Sequence, residues 1–565
     1  MRSIVNRLPF LSLFLILTAI GPGTSTGLMQ DPTPELFPSM PAEFPWWNHR
    51  VFYEIFVRSF RDSDGDGIGD LQGVIDSLDY LNDGDPTTDR DLGVTGIWLM
   101  PIARAASYHG YDVTDYETIE PDYGALDDLR RLVEEAHRRG IAVIVDLVIN
   151  HTSREHPWFI ASAARSEPFT DWYVWSDVNP GWRGPDGQQV WHSLDGRYYY
   201  ALFWGGMPDL NLRNPAVTEA IYEISRVWLE DYGVDGFRMD AIKHLIEEGQ
   251  VQENTPSTHA WLQAYRAYLD TIAPDALTVG EVWSTSFEAD DYVLNGEMDL
   301  VFEFDLASAF VFSARQGNAD GVRSLLERVT RLYPPGQFAT FLTNHDQNRV
   351  AGEVRANVAR GRIGPAQVAA SLLLTSPGVP FLYYGEEIGL IGNKPDERIR
   401  TPMQWDSTPV TAGFTDAPEP WQPLAGGEAD GVSVAAQIDD PGSLLSHYRS
   451  LIHLRNAHPA LQIGAYVEVE TSSRKLFAAL RRSADETLLI LINTDDEPVS
   501  GFTLSLSADD LPPIGGVTVL FDSTGGLNAI TAPAIAADGG FSGYAPVAEM
   551  PPFATLVLRL DPAAP

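Results

Sequence analysis

The sequence predicts an α/β fold: a (β/α)8 TIM barrel with an inserted domain after strand 3 and a C-terminal antiparallel β-sandwich. Three observations carry this. Between residues 51 and 461, eight short apolar runs alternate with amphipathic stretches. The connection from 151 to 206 is too long and too aromatic for a plain loop. Beyond residue 461, apolar residues recur at period two between Pro, Gly and Asp turns.

The eight runs are VFYEIFVRSF (51–60), GVTGIWLM (93–100), IAVIVDLVIN (141–150), VDGFRMDAI (234–242), LTVGEVW (277–283), DLVFEFDLA (299–307), FATFLTNHD (338–346) and VPFLYYGEE (379–387). Near-continuous apolar character is what a parallel strand buried on both faces requires. Between them, Leu126, Leu129, Leu132 and Ala136 recur at helical spacing, as do Ile221, Ile224 and Trp228, with Gly140 and Gly233 as stops. No glycine-rich dinucleotide fingerprint follows the first run, which favours a closed barrel over an open doubly wound sheet. The insertion holds Trp158, Trp172, Tyr173, Trp175, Trp182, Trp191 and Tyr198 to Tyr200, most of them expected to fill its small core. Phe502, Leu504 and Leu506, and later Leu556, Leu558 and Leu560, set the alternation of the sandwich. The implied boundaries are 45–150 and 207–461 for the barrel, 151–206 for the insertion and 462–565 for the sandwich.

At the N-terminus, Arg2 and Arg7 precede an apolar run from Leu8 to Ile20 that gives way to small residues through Gly27. The pattern predicts a secretory signal peptide at 1–26 and a linker at 27–44. The chain is thus expected to be secreted, extracellular or periplasmic, with no membrane contact after signal removal. It contains no cysteine, so disulfides contribute nothing to its stability. Its net charge of −40, with Lys243, Lys394 and Lys475 as the only lysines, excludes nucleic acid and anionic lipid as partners. A monomer is expected.

Ionisable residues gather at the ends of the apolar runs. In GFRMDAIKH (236–244), strand alternation would turn Phe237, Met239 and Ala241 to one face and Arg238 and Asp240 to the other. Asp146, Asn150 and His151 end the third run, Glu281 the fifth, and Asn344, His345 and Asp346 the seventh. A barrel brings these ends to one cavity. Asp240, Glu281 and Asp346 would then crowd together, which is unfavourable because like charges resist simultaneous ionisation. A structural ion pair accounts for one such acid and poorly for three.

DSDGDGIGD (62–70) follows the first run. Asp62, Asp64 and Asp66 alternate, Gly67 permits a sharp turn, Ile68 offers a carbonyl and Asp70 follows, the oxygen-ligand pattern of a Ca2+ loop. It matches the first nine positions of an EF-hand loop, with Gly73 where that loop carries its glutamate.

DLVINH (146–151), MPDLN (207–211), GFRMDAIKH (236–244), GEVW (280–283) and TNHD (343–346) together resemble, in order and spacing, the five signature regions of the α-amylase family, glycoside hydrolase family 13. MPDLN resembles the intermediate group between oligo-1,6-glucosidases and neopullulanases. The resemblance implies that Asp240 is the nucleophile, that Glu281 is the general acid and base, and that Asp346 grips sugar hydroxyls. It further implies that Arg238 keeps the nucleophile ionised, that His151 and His345 bond the sugar, and that Tyr111 stacks on it with His109 and Asp112 alongside. Lys243 and His244 would contact the leaving-group side, and Asp146 would orient its neighbours. The two working carboxyls of a retaining enzyme should lie about 5–5.5 Å apart. A second calcium site is implied at Asn150, Asp209 and the carbonyl of His244, beside a structural one in the 62–70 loop.

Tyr108 and His109 stand where exo-acting relatives carry Asp and Asn, whereas NKPDERIRTPMQWD (393–406) resembles the oligo-1,6-glucosidase and trehalose synthase branch. The favoured expectation is a retaining hydrolase of α-1,4 bonds in starch and maltooligosaccharides, and in cyclodextrin or pullulan. The alternatives are an exo-acting α-glucosidase, oligo-1,6-glucosidase or trehalose synthase, and a catalytically silent sugar-binding relative, which the three intact acids oppose.

Overall fold

Eight parallel strands close on themselves in the computed structural model, which describes residues 43–425, 431–507, 509–527 and 530–563. The expected signal peptide and all but the last two residues of the expected linker lie outside the described residues. The barrel strands are β1 Phe52–Ile55, β2 Gly96–Leu99, β3 Ala142–Leu147 and β4 Gly236–Met239, followed by β5 Leu277–Gly280, β6 Leu300–Phe302, β7 Phe338–Thr340 and β8 Val379–Tyr383. β8 pairs back onto β1, with Phe52 opposite Phe381. Each predicted run contains one strand.

Alternation sorts their side chains. Phe52, Trp98, Ile144, Leu277, Val279, Leu300, Phe302, Ala339 and Phe381 fill the interior, where Phe52 and Phe381 stack at 4.6 Å. Tyr53, Ile55, Ile97, Val143, Val145, Phe237 and Met239 point outward into the layer shared with the helices. Gly236 is required by crowding, since a Cβ there would come within 2.1 Å of the Leu277 carbonyl oxygen on β5.

Three of the predicted runs continue well past their strands. β6 ends at Phe302 and a helix, Phe304–Gln316, begins within the predicted 299–307 run. β7 ends at Thr340, so Asn344, His345 and Asp346 sit on the loop beyond it. Short apolar runs do not separate a buried strand from a buried helix or loop by pattern alone. β4 likewise ends at Met239: Ala241 adopts a left-handed φ of 49° and opens a single helical turn, Ile242–His244, instead of extending the outer face.

Between β3 and β4, the strands Trp175–Ser176, Arg197–Tyr200 and Trp191–Leu194 form a small sheet. Val190, Trp191, Tyr200 and Leu202 make one apolar cluster there, and Phe159 stacks on Trp175 at 5.6 Å. The C-terminal part contains a five-stranded antiparallel sheet facing a three-stranded one, with Leu504, Leu506, Leu556, Leu558 and Leu560 between them.

Two buried arginines meet where this sandwich abuts the barrel, one from each side, and Arg481 makes the contact across. The helix Gly364–Thr375 leaves carbonyls unpaired at its C-terminal end, where its dipole is negative. Arg455 donates to the carbonyls of Leu374 (2.9 Å), Ser376 (3.0 Å) and Gly378 (2.6 Å), and Arg481 donates to Thr375 (2.8 Å) and Gly464 (3.0 Å). Arg455 lies on the helix Leu444–Ala457 and Arg481 on the sandwich strand Leu476–Arg482. Replacing Arg455 by Met leaves three buried carbonyls without donors, for a loss of roughly 3 kcal/mol or more. Urea unfolding of Arg455→Met should show a lower midpoint at unchanged slope, and a midpoint equal to wild type contradicts this account.

Candidate active site

The inward-facing residues at the C-terminal ends of the strands meet around one guanidinium. Arg238, on β4, is 1% exposed and contacts three acids: Asp146 of β3 at 2.8 Å, Asp240 at 2.8 Å and Glu281, just past β5, at 2.9 Å. Trp98 of β2 supports it from below, its ring centroid 5.2 Å away. Asp240 and Glu281 stay in register because their amides still donate to Leu147 and Met239 of the neighbouring strands. The left-handed turn at Ala241 then aims the Ala241 N–H at Glu281 Oε2, 3.0 Å away.

A second chain of contacts starts at Glu54, the inward residue on β1. Its carboxylate meets His345 Nδ1 at 2.5 Å, and His345 Nε2 reaches the Tyr111 hydroxyl at 2.6 Å. Tyr111 donates to Asp146 Oδ2 at 3.0 Å, which joins this chain to Arg238. Asp346 lies 3.2 Å from His345 Nε2 and accepts from Arg400 at 2.8 Å, with Lys394 at 3.8 Å. Asp240, Glu281 and Asp346 line one cavity of about 640 Å³ together with His109, Tyr111, His151, Lys243 and His244.

Burial pushes Asp240 up to about 8; Arg238 opposes the rise while Glu281, Asp146 and Asp346 reinforce it. Asp146 is also raised, by burial first. Two of the three carboxyls that face the one guanidinium, Asp240 and Asp146, are therefore harder to ionise than an ordinary aspartate, and Arg238 opposes the rise in both. Burial alone would neutralise His345, but Asp346 and Glu54 lift it to about 9, so the ring is an imidazolium at neutral pH. Asp346 is held well below the usual carboxylate range: burial works against this, and His345, Arg400 and Lys394 outweigh it.

The remaining predicted residues divide. Asn150 Nδ2 is 3.3 Å from His151 Nδ1, and His151 Nε2 is buried without a hydrogen-bond partner among the described residues. Lys243 donates to the Trp283 carbonyl at 2.9 Å and pairs with Glu253 at 2.9 Å, while His244 Nδ1 meets the Gln252 carbonyl at 2.9 Å. Asp112 does not line the cavity. Its carboxylate turns back to accept from the Ser107 amide and hydroxyl, bracing the loop that presents His109 and Tyr111. Sequence reasoning missed Glu54, Arg400, Asp396, Phe203 and Trp204. Glu54 had a visible signal, a carboxylate inside a strand buried on both faces, and Asp396 and Arg400 lie in the 393–406 stretch, whose resemblance does not by itself assign them to the site.

In the 62–70 loop, carboxylate oxygens of Asp62, Asp64 and Asp70 lie within 4.8 Å of one another, a hard oxygen set that fits Ca2+. Asp66 falls outside this group, and its side chain accepts from the Ile68 amide instead. The Thr415 hydroxyl also donates to Asp62, and Trp421 N–H donates to the Gly67 carbonyl at 2.8 Å, so the loop is tied to the 415–421 segment. At the weaker site, Asn150 donates to Asp209 at 3.0 Å, and burial pushes Asp209 up to about 8. The Asn150 side-chain oxygen is buried without a hydrogen-bond partner among the described residues.

Comparison with known proteins matches residues 54–464 to the alpha-amylase catalytic domain. The chain is 39% identical over 454 residues to Alpha-amylase 3 of Dictyoglomus thermophilum, covering 80% of this chain and 85% of that protein. It is 35% identical over 518 residues to the trehalose synthase/amylase TreS of Mycobacterium tuberculosis, covering 81% and 84%. The crystal structure of alpha-amylase from H. orenii superimposes with a TM-score of 0.76 at 40% identity, covering 91% of this chain and 100% of that one.

His345 yields a pH prediction. Its ordinary value is 6.5 and its folded value about 9, so its contribution to stability is complete below about pH 6.5 and is lost as pH rises through about 9. The contribution is on the order of 3 kcal/mol. Urea midpoints measured from pH 6 to 10 should fall across that window, and Glu54→Gln should move the fall to lower pH. A flat wild-type profile, or an unmoved one in the variant, contradicts the assignment.

Proposed function

The chain belongs to the alpha-amylase family of glycoside hydrolases, and from that premise we propose a secreted, retaining enzyme that cleaves α-1,4-glucosidic bonds in starch and maltooligosaccharides, and in cyclodextrin or pullulan. The observation that carries the mechanism is Arg238, which bonds Asp240 and Glu281 from adjacent nitrogens of one guanidinium. This is compatible with the separation of about 5–5.5 Å that retention requires.

Arg238 holds Asp240 through Oδ1, leaving Oδ2 to attack the anomeric carbon. Both contacts to Glu281 fall on Oε2, leaving Oε1 to carry the proton. As the Asp240 oxygen bonds to the anomeric carbon, the glycosidic C–O bond breaks and the Glu281 proton passes to the leaving oxygen. In the second step Glu281 takes a proton from water, the water oxygen bonds to the same carbon, and Asp240 leaves. Two inversions amount to retention. Asp346, fixed from the side of Arg400 and His345, is placed to accept sugar hydroxyls, and His151 Nε2 to contact another. Burial keeps Tyr111 a phenol, and its ring lines the cavity where the sugar would rest.

Calcium is proposed as a structural cation held by Asp62, Asp64 and Asp70, neutralising three neighbouring carboxylates. Secretion rests on the N-terminal charge and apolar pattern. A second reading, exo-acting or trehalose-forming, draws support from the 393–406 segment, whose Asp396 and Arg400 line the cavity, and from the likeness to a trehalose synthase/amylase.

Asp240→Asn and Glu281→Gln should each lower kcat on soluble starch by about 10³-fold or more. NMR of the first product should show the α-anomer, and a β-anomer defeats the retaining mechanism. Glucose or trehalose released from maltose, with starch untouched, favours the second reading instead. Chelation should lower the melting temperature of wild type and that of Asp62→Asn less, with Ca2+ restoring the former; equal responses contradict the loop assignment.

A further inference from the structure

We infer that Trp204 is a sugar-stacking platform that leads an α-glucan chain from the catalytic cavity into a second groove on the inserted domain. This rests on the α-glucan reading above. Trp204 lines both the cavity of about 640 Å³ and an adjoining groove of about 760 Å³, and it is the residue common to the two. The groove runs between Ser107, on the loop that carries His109 and Tyr111, and the inserted residues Arg154, Ile160 and Asp195.

A lone exposed aromatic needs no functional explanation. Trp204 differs because it is 55% exposed on a turn whose carbonyls are all bonded. The Trp204 carbonyl accepts from Met207 N–H at 2.9 Å, that of Gly205 from the Tyr199 hydroxyl at 2.6 Å, and that of Gly206 from Arg154 N–H at 3.0 Å. The indole lies against Gly206 so closely that a Cβ there would come within 2.2 Å of the ring. Gly205 is confined as well, because its Cβ would meet His192 Nδ1 at 2.7 Å. One face of the ring is thus seated on backbone at a fixed orientation and the other is open. Ile160, 57% exposed, adds apolar surface along the groove, and exposed Arg154 and Asp195 supply polar edges. An apolar ring flanked by charged hydrogen-bonding groups suits a pyranose, which has C–H faces and equatorial hydroxyls. Continuity with the cavity selects the longer end of the bound polymer as occupant.

The test compares kcat/KM on amylose with kcat/KM on maltotriose, in wild type, Trp204→Ala and Gly206→Ala. Gly206 is not in the left-handed region, so its alanine variant acts by displacing the ring. Both variants should lower the amylose-to-maltotriose ratio by roughly 10-fold, with the double variant no worse than Trp204→Ala. A ratio unchanged in Trp204→Ala overturns the platform, since general damage to the fold would lower both activities together. A wild type inert on amylose overturns the α-glucan reading itself, and the platform with it.

Discussion

A single buried guanidinium organises this protein. Arg238 is enclosed by the barrel, stands over Trp98 and faces Asp146, Asp240 and Glu281. Removing it would leave three acids confined without a counter-charge, and each would resist ionisation. Removing any one acid would shift the proton balance among the others. The barrel is what makes the cluster possible. Strand pairing fixes Asp146 beside Arg238 and Val279 on its other side, so the charges cannot separate to relieve their repulsion.

Around this centre, positive charge is concentrated where the acids need it. The chain carries only three lysines against a net charge of −40. Of these, Lys243 lines the cavity and Lys394 lies 3.8 Å from Asp346. Arg400 and the His345 imidazolium complete the set around Asp346, and Glu54 supports the imidazolium from behind. Asp346 is thereby held below the usual carboxylate range, while burial raises Asp240 and the Arg238 contact opposes that rise. Two carboxylates of the same type in one cavity are pushed apart in acidity by their surroundings.

The sequence revealed the barrel because strands buried on both faces must be apolar, and it revealed the central acids because charges within such runs are conspicuous. The five signature stretches supplied roles that periodicity could not. What escaped detection shares a physical character. Arg400 and Asp396 reach the cavity from a loop some fifty residues beyond Asp346, and Phe203 and Trp204 reach it from the insertion. Loops converge through tertiary closure, which leaves no periodic trace. Asp112 sits beside His109, at 4.0 Å, but its carboxylate accepts from Ser107 and lines the adjoining groove instead of the cavity that holds Tyr111, a turn-level detail that adjacency in sequence does not carry. Asp66 fits the alternation of a calcium loop, yet the loop's path leaves its carboxylate outside the cluster of Asp62, Asp64 and Asp70.

The junction of barrel and sandwich has a consequence for how such proteins can diversify. Arg455 and Arg481, from opposite sides of the boundary, close the same helix end with carbonyl contacts alone. A sandwich transplanted from elsewhere would have to bring its own cation to that spot, or leave an open seam in the scaffold. Recombination among modular sugar-cleaving proteins should therefore treat this pair as one heritable block, while loops at the opposite rim remain free to drift.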